Sequence, residues 1–196
     1  MEPSRTLPKE RAPVRIVAIS IYIFAVVLDL IRLIFQFQET QVVYYELAVL
    51  IFDAVFGIAL IVGLLKRNLA LIDLMLVILK VYDGTFFILN SLMRIDSGHI
   101  NTLDRISNYF LIAAGVVSLI TFFFFCLHYY FEENKYWKWI IFTVLLTALL
   151  LLVSAIISTI NFAQGNVGWF YVVEILAMCL QTMAIHFVCR YVQDYE

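Results

Sequence analysis

The chain has 196 residues, of which 64% are hydrophobic and 14% charged, and its formal net charge is −2. Soluble domains average about 45–50% apolar and about 25% charged residues, and one of this size still leaves roughly 30% of its chain surface in water. The composition therefore argues against a soluble enzyme or a disordered chain, and the charge argues against nucleic acid as a partner. An all-α, polytopic protein embedded in a lipid bilayer is the class that remains.

Six apolar stretches reach the length of about 20 residues that a helix needs to cross the hydrocarbon core. The fourth and fifth are the clearest, whereas charged residues interrupt the first and third. The alternation of polar and apolar residues that marks a membrane β-barrel strand is absent from the sequence. We therefore predict one transmembrane domain, 14–190, with helices at about 14–35, 44–65, 69–93, 106–128, 137–160 and 168–190, between an extended tail at 1–13 and a short tail at 191–196.

Lysine and arginine residues near the span ends predict the orientation, because they accumulate on the cytoplasmic side of membrane proteins. The third connection has two of them, Arg94 and Arg105, and the first and fifth connections have none. Both termini and the second and fourth connections together have nine: Arg5, Lys9, Arg11, Arg15, Lys66, Arg67, Lys135, Lys138 and Arg190. This distribution predicts that both termini are cytoplasmic, and it leaves the identity of the membrane open.

Small and hydroxyl-bearing residues at helical spacing predict which faces pack closely, because they let two helix backbones approach. In the fourth span, Ala114 and Ser118 are four residues apart. The fifth span has such residues along one face: Thr143, Thr147, Ser154 and Ser158.

Seven charged residues fall within the predicted spans, where a charge at the bilayer centre costs about 2.5–3.5 kcal/mol on insertion scales. Residues three apart share a helix face, so the spacing predicts the pairs Asp29–Arg32 and Lys80–Asp83. Asp53 is nearest the centre of its span and has no basic residue there, so we expect it to hold its proton or bind a cation. The full set of candidate ion-pathway or docking residues is Asp29, Arg32, Asp53, Asp73, Lys80, Asp83 and Glu174.

Two functions fit this pattern. In the first, which the sequence favours, the protein is a non-enzymatic auxiliary, scaffold or assembly subunit of a membrane complex. Its charges would then pack its own helices or dock a membrane-protein partner or a second copy of the chain. In the second, it is a small ion- or proton-coupled transporter or channel with a carboxylate-lined path. No catalytic motif is present, and we predict no cofactor and no metal site.

Overall fold

The computed structural model describes residues 12–39, 44–96, 101–131 and 135–193, and it describes side chains for 13–35, 51–96, 101–131 and 135–193. The described residues form six helices joined by short connections, so the predicted all-α fold is confirmed. The predicted tails lie largely outside the described residues, at 1–11 and 194–196. The helices are α1 (Ala12–Glu39), α2 (Tyr44–Lys66), α3 (Leu69–Asp96), α4 (Thr102–Phe131), α5 (Lys135–Ala163) and α6 (Trp169–Gln193).

Four of these helices are long and apolar enough to cross a membrane, by length and composition. They are α4, α5, α6 and the segment Pro13–Phe35 of α1. The described residues of α2 and α3 are not among them, although both helices expose large apolar side chains such as Ile58 and Leu89. Among the residues with described side chains, each helix exposes at least one large apolar side chain, in α6 only Leu176, as expected for a bundle that contacts lipid.

The helices form a closed ring. Each helix packs against its neighbours in the chain, and α1 also packs against α6. One apolar cluster draws on the first halves of α1, α3 and α5 and on the second halves of α2, α4 and α6, so consecutive helices run antiparallel. Ala18 near the start of α1 and Val192 near the end of α6 both belong to this cluster. We call this end of the bundle the terminal half and the opposite end the cavity half.

The apolar packing of the cavity half comes from fewer helices. Its cluster of buried residues includes Phe87 of α3, Leu111 of α4, Leu151 of α5 and Ile175 of α6. Among the residues with described side chains, neither α1 nor α2 contributes to it. Polar side chains therefore occupy the space between these two helices and the rest of the bundle.

Two residues connect α2 to α3. Arg67 adopts a φ of 55°, in the left-handed region, and the Asn68 N–H donates to the Gly63 carbonyl at 2.9 Å, as in the usual αL termination of a helix. The Asn68 side-chain oxygen then accepts a hydrogen bond from the Leu71 N–H at 3.2 Å and caps α3. This turn fixes the two helices as an antiparallel pair.

The small and polar faces predicted for α4 and α5 lie at helix interfaces. Ser107 of α4 shares hydrogen bonds with Ser154 at 2.7 Å and with Ser158 at 2.8 Å, both on α5. On the face of α4 that contacts α3, a methyl group added to Gly115 would lie 2.8 Å from the Gly84 carbonyl oxygen. Close backbone approach thus fixes α4 against both of its neighbours.

Candidate functional site: a carboxylate-lined cavity

All seven charged residues predicted within the spans have buried side chains. Lys80 is 0% exposed, and Asp53, the most exposed of the set, is 9% exposed. Charges that dock the helix of a partner protein would lie on the outer surface of the bundle. These charges instead face other helices of the same chain.

Five of the seven side chains line one cavity between α1, α2, α3 and α6. The cavity volume is about 20 Å³, which is room for one water molecule or a bare ion and far below the 300–1,000 Å³ of a typical small-molecule site. The charged lining residues are Asp29, Arg32, Asp53, Asp83 and Glu174. Tyr82, Phe86, Phe87, Ala177, Met178 and Gln181 complete the wall.

Both pairs expected from the spacing of three residues are formed. Arg32 Nε donates to Asp29 Oδ1 at 2.7 Å within α1. Lys80 Nζ donates to Asp83 Oδ2 at 2.9 Å within α3. Charge-assisted hydrogen bonds of this length are the strong kind, and they offset part of the cost of burying the four charges.

Glu174 of α6 finds its partners on other helices. Arg94 Nη2 lies 2.8 Å from Glu174 Oε2, Asn90 Nδ2 donates to Oε1 at 3.3 Å, and Arg32 Nη1 lies 3.8 Å from Oε2. Arg94 follows the predicted third span, 69–93, and is counted there with the third connection. In the structure α3 continues to Asp96, and the Arg94 side chain reaches Glu174 of the cavity lining.

Asp53 of α2 differs from the other acidic residues of the cavity. It forms no ion pair with any residue whose side chain is described. Its carboxylate shares the cavity wall with those of Asp83 and Asp29 and with Gln181, while the Tyr22 hydroxyl donates to its backbone carbonyl at 3.3 Å. Among the described residues, Asp53 is thus the cavity carboxylate whose charge is not balanced by a base.

Asp73 and Lys80 are the two predicted residues that do not line the cavity. Asp73 is buried on the first part of α3, in the terminal half. Lys80 does not line the cavity itself but reaches it through Asp83. Asn90 and Gln181 are predicted to hydrogen-bond between helices, but no spacing rule links residues on different helices, so the sequence does not bring them or Arg94 to this site.

Among the described side chains around the cavity, four carboxylates face three basic groups, those of Arg32, Lys80 and Arg94, so their formal balance is one negative charge. Among the described residues, no three His, Cys, Asp or Glu side chains are grouped so as to hold a metal ion. Comparisons with protein-family models, curated proteins and solved structures gave no match. The geometry and charge of this cavity are what support a function for the chain.

Proposed function

We propose that the chain is a multi-pass membrane protein with six transmembrane helices and both termini in the cytoplasm. The apolar outer faces of α2 and α3 support two spans beyond the four that length and composition identify. The antiparallel ring supports a common side for the first and last helix ends. Labelling of single cysteines with a membrane-impermeant reagent tests this: Arg67→Cys should react from the cytoplasmic side and Asn166→Cys from the other. Reaction of both from one side would contradict six spans.

Within this topology, we propose that the protein binds and passes a proton or a small monovalent cation through the cavity. The single observation that carries the proposal is the buried carboxylate of Asp53, which lines the cavity and lacks a basic partner among the described side chains. An isolated ionised carboxylate in an apolar interior is costly, and the group is stabilised by taking up a proton or a cation.

Charge and size both limit the ligand. One monovalent cation neutralises the formal balance of the cavity, whereas a divalent ion would leave it positive. The volume admits a single water-sized particle and excludes organic solutes. The cavity therefore favours an ion or proton over a metabolite.

Reconstitution into proteoliposomes tests the proposal directly. A membrane potential imposed with valinomycin should drive proton or sodium uptake, recorded with dyes for each ion, and Asp53→Asn should abolish that uptake. Asp96→Asn is the matched control, because Asp96 is an exposed carboxylate at the end of α3. Unchanged flux in Asp53→Asn, in protein that stays monodisperse, would contradict the role of Asp53.

An auxiliary or assembly subunit of a membrane complex is the second candidate, and one observation favours it. Arg32, Lys80 and Arg94 each pair with a carboxylate inside the bundle, so the charges stabilise helix packing without any solute. The native mass in mild detergent, with identification of co-purifying chains, tests this candidate. A stoichiometric partner would support it, whereas a lone monomer or closed homo-oligomer would contradict docking to another protein.

A further inference from the structure

The ion pair between Arg94 and Glu174 joins helices that are not neighbours in the ring. The main helix–helix packing of α3 is against α2 and α4, and that of α6 is against α5 and α1. The Arg94–Glu174 contact of 2.8 Å therefore crosses the interior of the bundle. The Arg94 guanidinium also lies 4.1 Å above the ring centre of Tyr171, one turn before Glu174 on α6.

The two side chains of this ion pair differ in how exposed they are. The Arg94 side chain is 30% exposed and the Glu174 side chain 9%. Glu174 lines the cavity and Arg94 does not. Arg94 thus lies between the surface of the cavity half and the carboxylate that forms part of the cavity wall.

The pair is more easily opened than the other two. Arg32 and Lys80 are at most 5% exposed and are bound to carboxylates on their own helices. Arg94 is in the last turn of α3, and a long arginine side chain near a helix end can extend towards the headgroup region. When Arg94 moves away, Glu174 still contacts Asn90 at 3.3 Å and Arg32 at 3.8 Å, so its negative charge remains compensated.

From this arrangement we infer that the Arg94–Glu174 pair is a gate that closes the cavity on the side between α3 and α6. Closed, the guanidinium covers Glu174 and is held over the Tyr171 ring. Open, Arg94 extends towards the membrane surface and the cavity becomes reachable from the cavity half. The ion that would pass rests on the proposed function, whereas the gate is a property of access and can be tested without any flux.

Access is measured with a cysteine inside the cavity. The three native cysteines, Cys126, Cys179 and Cys189, are first replaced by alanine. Met178→Cys then places a thiol on the cavity wall, and the same background serves for every variant compared. The rate of its reaction with Ag⁺, a thiol-reactive monovalent cation of the size that the cavity admits, is recorded in proteoliposomes as the loss of later maleimide labelling in detergent, with Ag⁺ added on the side of the cavity half.

We expect Arg94→Gln to raise this rate by about tenfold or more, the change in an open-to-closed ratio that follows loss of a charged hydrogen bond. Glu174→Gln should raise it in the same direction. Arg105→Gln is the matched control, because Arg105 is an exposed cation at the same end of the bundle, and it should leave the rate unchanged. The exchange Arg94→Glu with Glu174→Arg should return the rate towards that of the parent.

Equal rates in Arg94→Gln, Glu174→Gln and Arg105→Gln would overturn the gate, provided that each protein elutes as a single species. A raised rate without ion flux in the native chain would retain the gate and contradict the proposed function. Ion flux that depends on Asp53, with equal reaction rates in all variants, would support the proposed function and contradict the gate.

Discussion

In the terminal half, all six helices contribute to a single apolar cluster, whereas in the cavity half the apolar cluster draws on α3 to α6. There α1 and α2 meet the bundle around a cavity lined by four carboxylates and one arginine. The terminal half is stabilised by apolar packing, which has one well-defined arrangement. The cavity half depends on ion pairs, which can exchange partners. If the bundle changes conformation without unfolding, we expect the cavity half to move.

The largest loss of stability should come from breaking the Lys80–Asp83 ion pair beside the cavity. Lys80→Met leaves Asp83 buried without its base, and loss of one partner of a buried pair typically costs about 4 kcal/mol. The double variant Lys80→Met with Asp83→Leu should recover most of this, because no lone charge remains. Reversible unfolding in mixed micelles gives both free energies. A double variant as unstable as the single one would show that packing around Lys80, and not its charge, sustains this region.

A comparable effect is expected in the terminal half, with a different cause. Trp137 is 1% exposed within the six-helix cluster, so Trp137→Ala should lower the free energy of unfolding by about 3 kcal/mol through the cavity it leaves. Trp139, two residues later and on the outer surface, supplies the control. The same unfolding assay should find Trp139→Ala within about 1 kcal/mol of the native chain. Similar losses in both would mean that the terminal cluster is not the main source of stability.

A smaller effect should appear where α3 and α4 approach. The added methyl of Gly115→Ala would lie 2.7 Å from Ile88 and 2.8 Å from the Gly84 carbonyl, so the helices must separate. Overpacking of this kind costs about 2 kcal/mol. Gly168→Ala, whose methyl would meet only Phe170 at 3.8 Å, should change stability little. Equal melting temperatures for the two variants would contradict tight packing at this interface.

The helices were predictable from sequence because long apolar runs leave few alternatives in a membrane. The pairs Asp29–Arg32 and Lys80–Asp83 were predictable as well, since spacing on one helix fixes their geometry. The partner of Glu174 was not. Arg94 follows the end of an apolar run and therefore resembled a connection residue, and 80 residues separate it from Glu174. Which helices face each other across a ring depends on packing that a single sequence does not display.

The closed ring has a consequence for how the chain is made. The contact of α1 with α6 joins the first helix to the last one synthesised. At about 5–20 residues per second, roughly 10–30 s pass between completion of α1 and completion of α6. Throughout that interval α1 lacks the helix that closes the ring, and roughly 4–16 s of it separate Arg94 from Glu174, which follows 80 residues later. The ring, and with it the part of the cavity wall that α6 supplies, is therefore completed only after the other five helices have been made.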